Sequence, residues 1–168
     1  MLFRSLHETL VDAARTHLRI ATPYFVPTPA TVKSLIDARQ RGVEVDILVP
    51  GPYVDSRVSD LAGSDAFDPL LQVGVRIWRY QPTLIHAKII TVDGVLSCIG
   101  SANFNQRSGS KDDEVALNVL SARLCAQLDQ HFADDQRRSD PVTLWHWRRR
   151  SRVRRLAEIT ASLIRPHT

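Results

Sequence analysis

The dipeptide Asp93-Gly94 stands between two apolar runs, Ile89 to Val92 before it and Val95 to Ile99 after it. Aspartate followed by glycine tolerates the positive φ angles of a two-residue hairpin turn, so the pattern predicts an antiparallel hairpin over residues 86–101. Centred on that turn, Val92 faces Val95, Lys88 faces Ile99 and His86 faces Ser101. Residues two apart on a strand share a face, as do directly paired residues. The hairpin therefore gathers His86, Lys88 and Ser101 at its open end, with Asn103 just beyond, and leaves Asp93 at the closed end. Its two faces are otherwise largely apolar: Ile90, Val92, Val95 and Ile99 on one, Ala87, Ile89, Leu96 and Cys98 on the other. Such a hairpin belongs in the middle of a sheet covered by helices on both sides. Polar groups at the end of a buried hairpin need partners, and a bound phosphate would supply them.

The flanking sequence supplies the covering layers. Phe3, Leu6, Leu10, Ala13 and Ala14 recur at helical spacing and predict a helix from about residue 3 to 17. A short strand, about 18–22, enters a proline-bounded loop from Pro23 to Pro29. Thr28-Pro29 then reads as an N-cap followed by a first-turn proline, and Gly42 closes that helix. Val43 to Val49 alternates as a strand, so the unit is β-helix-β with a parallel pair. A polar stretch with helical patches runs to Gly74. Further strands are expected at about 75–80 and 114–120, a helix at about 122–137, and a last helix at about 149–164. The sum is one domain over residues 1–168, an α/β sandwich with a mixed sheet.

Composition narrows the setting. The 168 residues are 43% hydrophobic and 24% charged, ordinary for a globular chain long enough to bury a substantial core. No apolar run approaches the roughly 20 residues that span a bilayer, and no basic segment precedes an apolar one at the N-terminus. The expected location is cytoplasmic, with any membrane attachment peripheral. Cys98 and Cys125 fall in a strand-like and a helical run and read as two buried free thiols. His7, His17, His131, His146 and His167 show no ligand spacing and are expected at the surface. The net charge of +4 is unevenly placed, with six arginines among the eight residues from Arg148 to Arg155. That asymmetry suggests an anionic partner, lipid headgroups or nucleic acid. Trp145 and Trp147, followed by Arg148, Arg149, Arg150 and Arg152, could lie at a membrane surface. The competing reading is a solvated basic helix face, with Val153, Leu156, Ile159 and Leu163 as its packing stripe.

The convergent polar residues fit phosphoryl chemistry. Imidazole is nucleophilic and substantially neutral near pH 7, so His86 could attack phosphorus and split a hard displacement into two easier steps. Lys88 would neutralise the non-bridging oxygens, and Asn103 and Ser101 could hydrogen-bond the same group. Gly100 lets the backbone approach closely. Each has a plainer alternative: a structural histidine in a strand, an exposed lysine. Asp93, by parity and turn position, reads as structural rather than as a phosphate contact. The chemistry needs no metal and no cofactor.

The run His-x-Lys, four residues, Asp, six residues, Gly-Ser-x-Asn resembles the HKD signature of the phospholipase D superfamily, met by His86, Lys88, Asp93, Gly100, Ser101 and Asn103. The segments TPYFVP, RGVEVDILVP, GVRIWRY and QRSGSKDDEVAL are similar to the second half of a bacterial cardiolipin synthase. Arg107 and Ser108 fit that pattern; Asn105 and the stretch Gly109 to Asp112 depart from it. The resemblance implies a phospholipase D-like α/β/α sandwich, a phosphohistidine at His86, and Glu114 orienting His86 through its other ring nitrogen. A solvated carboxylate at a strand edge is the alternative for Glu114. It also implies a phosphatidyltransferase acting on an anionic, phosphatidylglycerol-like lipid. That mechanism uses two histidines, one to attack and one to protonate the departing oxygen. With one motif here, the partner is a second HKD-containing half or a homodimer mate. Alternatives are a dimeric phosphodiesterase or nuclease, whose basic helix would track nucleic acid, and a catalytically silent half.

Overall fold

The computed structural model describes residues 2–55, 61, 63–105 and 113–150, with side chains from Leu6 onward. The expected helix at 149–164 from residue 151 onward, which includes Arg152, together with His167 and the segment from Gln106 to Asp112, lies outside the described residues.

The elements, in chain order, are α1 (Leu2–Ala13), β1 (His17–Ala21), β2 (Phe25–Val26), α2 (Pro29–Gln40), β3 (Glu44–Pro50), a 3-10 turn (Ser64–Ala66), α3 (Phe67–Gln72), β4 (Arg76–Tyr80), β5 (Ile89–Val92), β6 (Leu96–Gly100), β7 (Phe104–Asn105), β8 (Ala116–Leu120), α4 (Ala122–Gln136), β9 (Ser139–Pro141) and α5 (Leu144–Arg148). Seven strands form one mixed sheet in the order β8-β6-β5-β1-β3-β4-β9. The β1–β3 and β3–β4 pairs are parallel, and the other pairs are antiparallel. The hairpin β5–β6 thus sits inside the sheet, as its two apolar faces demand.

Each face has its own core. Leu18, Ile20, Val45, Ile47, Ile77, Ile90, Val92 and Cys98 point toward α1, α2 and α3, meeting Leu10, Val11, Leu35 and Leu70. The alternate residues Ala21, Leu48, Tyr80 and Ile85 meet Phe132 of α4. Helix α2 begins as its sequence predicts: the Thr28 hydroxyl accepts from Thr31 N at 3.2 Å, Pro29 occupies the first turn, and Gly42 follows the helix with φ +93°. Among the described residues no helix is long and apolar enough to cross a membrane.

Two expectations are corrected in detail. Helix α1 stops at Ala13 rather than near 17. The amides of Arg15, Thr16 and His17 donate instead to the Asp93 carboxylate, at 2.9, 2.7 and 2.9 Å, which turns the chain into β1. The hairpin register also slips by one. Asp93 (φ 52°) and Gly94 (φ 69°) form the expected turn, and Val95 N donates to Val92 O. Val95 O, however, accepts from Ser121 N, so the strands pair Val92 with Leu96 and Ile89 with Ile99. One inserted residue exchanges the faces of β6 relative to β5.

Candidate active site

His86 and Lys88 lie on the extended segment leading into β5, at the end of the sheet opposite the Asp93 turn. His86 is exposed and Lys88 half-buried. The Lys88 ammonium reaches His86 Nδ1 at 2.9 Å and Nε2 at 3.3 Å, and donates to the His86 carbonyl at 3.0 Å. An ammonium has only donors, so whichever ring nitrogen it bonds must be the acceptor of the pair. Burial pushes the Lys88 ammonium below its ordinary pKa, and the carboxylates of Glu114 and Asp55 pull it back.

Gly100 N donates to Lys88 O at 3.2 Å. A Cβ on Gly100 would stand 2.1 Å from Val115 O, so only glycine allows β6 and β8 to close here. Ser101 does not lie opposite His86, because of the register slip. Its hydroxyl donates to the Glu114 carboxylate and accepts from Val115 N at 3.0 Å. Among the described residues Glu114 therefore accepts from Ser101 rather than from His86. Asn103 is half-buried, between Ala102 and Phe104. Asp93 stands apart at the closed end, held to residues 15–17. Burial works against its charge, but the backbone amides of His17, Thr16 and Arg15 outweigh it and hold the carboxyl below the usual range.

Three residues that sequence reasoning missed complete the surroundings. The pair β2–β7 aligns Phe25 with Phe104 and so draws the loop after β1 beside Asn103. Tyr24 from that loop meets the His86 ring edge-on, with centroids 6.3 Å apart and planes at 89°. Its hydroxyl donates to Asp55, in the loop after β3. Burial, then the hydrogen bond and charge of Asp55, push the Tyr24 phenol up to about 12. His7 of α1 is buried rather than at the surface, 8% exposed and stacked on Phe104 at 4.7 Å. Burial lowers its pKa to about 4, against the opposing charge of Glu114. The sequence did carry a signal for His7, which falls between Leu6 and Leu10 on the apolar stripe of α1. Tyr24 was visible as an aromatic between two prolines, whereas Asp55 had no local mark.

The arginine-rich end divides in a way the sequence did not show. Trp145 is 58% exposed, with the Arg149 guanidinium over its ring at 4.2 Å. Trp147 is 5% exposed and packs on Phe67 at 5.0 Å, which removes it from the expected membrane surface. Arg148 bridges to Asp68, and Arg150 covers the Trp147 ring and donates to Trp147 O. His17, His131 and His146 are exposed as expected. Among the described residues no group of three or more His, Cys, Asp or Glu could hold a metal ion.

Comparison with known proteins agrees with this fold. Residues 8–136 match the family model described as cardiolipin synthase, PLD-like domain. Cardiolipin synthase 1 of Bacillus cereus is 32% identical over 166 residues, 97% of this chain and 32% of that protein. The chain thus spans about a third of the length of the curated relatives it matches. Among solved structures, the phospholipase D family member Nuc from Salmonella typhimurium superposes with a TM-score of 0.74 at 26% identity, covering 83% of this chain and 90% of that one. Phosphatidylserine synthase of Haemophilus influenzae shares the fold, with a TM-score of 0.70 at 18% identity over 98% of this chain and 42% of that chain.

Proposed function

The chain belongs to the cardiolipin synthase, PLD-like domain family, and on that footing we propose that it is one catalytic half of a phosphatidyltransferase. Its substrate is an anionic phospholipid of the phosphatidylglycerol kind, and its acceptor the hydroxyl of a second lipid. The observation that carries this reading is the ammonium of Lys88 against the ring of a solvent-exposed His86. A phosphodiester entering the site offers Lys88 a stronger, anionic partner. The ammonium moves onto the non-bridging oxygens and frees the imidazole nitrogen to attack.

In the first step a P–N bond forms at His86 and the P–O bond to the leaving glycerol breaks. The departing oxygen takes its proton from a second imidazole. In the second step the acceptor oxygen attacks phosphorus, the P–N electron pair returns to His86, and the hydroxyl proton passes to that second imidazole. Lys88 and the Asn103 amide stabilise the charge on phosphorus. Ser101 holds Glu114, and a shift of that carboxylate to His86 during turnover would orient the ring. Asp93 acts through the fold alone. The second imidazole comes from another HKD-containing half or from a copy of this chain across a two-fold axis. Trp145 and Arg149 favour peripheral attachment to an anionic membrane.

A second reading is a homodimeric phosphodiesterase acting on lipid or nucleic acid. It is favoured by the match that covers 90% of the Salmonella protein, a chain of similar size to this one. The test incubates purified protein with phosphatidylglycerol vesicles in chelator and resolves products by mass spectrometry, beside His86→Ala. Cardiolipin or phosphatidic acid from wild type alone is the expected outcome. If single-stranded DNA is cleaved instead and lipid is untouched, the phosphodiesterase reading replaces the first. A monomer that makes no product, with His86→Ala indistinguishable from wild type, leaves only a silent half.

A further inference from the structure

Two carboxylates flank His86 and Lys88, and the transfer steps above use only one. Sheet order places them. Strand β5, into which the segment bearing the pair leads, has β6 and then β8 on one side, and β1 and then β3 on the other. Glu114 arrives just before β8 and accepts from Ser101. Asp55 arrives from the loop after β3 and accepts from Tyr24, whose ring is edge-on to His86 at 6.3 Å. Asp55 is exposed, and its charge reaches Lys88.

A carboxylate repels the phosphodiester that Lys88 would hold, so the phosphate is not its ligand. It accepts hydrogen bonds, and a hydroxyl is the donor that an alcohol acceptor brings. Tyr24 remains a neutral phenol and keeps donating to Asp55. That bond fills one of roughly four lone-pair positions on the carboxylate and fixes its direction, and the residue is exposed. An acceptor with two hydroxyls can place one oxygen on phosphorus and give the other hydroxyl to Asp55. Water and one-hydroxyl alcohols cannot do both.

We propose that Asp55, held in place by Tyr24, determines acceptor specificity by binding the non-reacting hydroxyl of a polyol such as a glycerol headgroup. This rests on the transferase reading above and names the residue that selects its acceptor.

The test sets deuterated glycerol against ethanol as competing acceptors, with the full chain and phosphatidylglycerol vesicles. Deuterated phosphatidylglycerol and phosphatidylethanol are read together by mass spectrometry. The product ratio is internal to each sample and independent of how much protein is folded. A hydrogen bond to a charged acceptor sets the scale, so Asp55→Ala should lower the glycerol-to-ethanol ratio about tenfold. Asp55→Asn and Tyr24→Phe should lower it by about threefold, since each retains part of the arrangement. A ratio unchanged in Asp55→Ala overturns the proposal, as does an equal fall of both products. If wild type forms neither product, the transferase reading fails, and this inference with it.

Discussion

Replacing Asp93 with alanine should cost stability rather than remove a group from the chemistry. Its carboxylate accepts from Arg15 N, Thr16 N and His17 N, and from the Thr16 hydroxyl at 2.9 Å. Hydrogen bonds to a charged acceptor are worth about 1.5–3 kcal/mol when sheltered, and about 0.5–1 each in a half-exposed turn. Four of them come to about 2–4 kcal/mol. The φ of 52° adds a further cost of about 1 kcal/mol for alanine. The expected loss is about 3–5 kcal/mol, a large share of the 5–15 kcal/mol typical of a folded domain, and a Tm lower by roughly 10 °C. Asp93→Asn keeps one acceptor oxygen and the tolerance for positive φ, and should lose about half as much. The pH dependence follows from the depressed carboxyl pKa. The contribution is fully present above the unfolded value near about 4 and disappears as pH falls through the folded value, so wild type and Asp93→Asn should converge in acid. Thermal and urea unfolding followed by circular dichroism from about pH 7 to 3 measures both effects. Wild-type stability in Asp93→Ala, together with loss of lipid products, would sink this reasoning and give Asp93 a direct role in catalysis.

His7 offers a second pH handle. Its folded pKa of about 4 lies below the free value of 6.5, so the unfolded chain binds the extra proton and stability falls as pH drops between those values. His7→Phe keeps a ring on Phe104 and should flatten that part of the urea-midpoint profile, whose height is on the order of 3 kcal/mol; an unaltered slope would contradict the burial argument. The two tryptophans should also separate cleanly. Trp147→Ala should destabilise by about 3–5 kcal/mol, whereas Trp145→Ala should stay within about 1 kcal/mol and weaken sedimentation with anionic vesicles. Equal losses of stability would contradict the division between core and surface.

The hairpin shows what local chemistry can and cannot reveal. The turn at Asp93-Gly94 was legible because two adjacent positive φ angles demand particular residues. The register was not, because a hydrogen bond from Ser121 captures Val95 O, and Ser121 is remote in sequence. Helix α2 was readable from its cap and proline, which act within four residues. The end of α1 was not, since residues 15–17 are recruited by a side chain more than seventy positions away. The same contrast divides the site. His86 and Lys88 declare themselves by spacing on one segment. Tyr24, Asp55 and His7 reach them only through sheet order and helix packing, and Trp147 could be told from Trp145 only once α5 met Phe67. The short strand β9, and the β2–β7 pair with only two residues in each strand, are too brief for periodicity to register.

The remoteness of Asp93 also has a mechanical consequence. At about 3.3 Å per residue, the seven residues from His86 to Asp93 form an arm of roughly 20 Å. A tilt of about 3° at the turn end then swings the imidazole by about 1 Å, a misplacement that can cost roughly a hundredfold in rate. The carboxylate that ties the turn to residues 15–17 holds that arm together with the β1 and β6 ladders on either side of β5. On the transferase reading proposed above, an aspartate remote from the phosphate would thereby help to fix where the attacking imidazole stands.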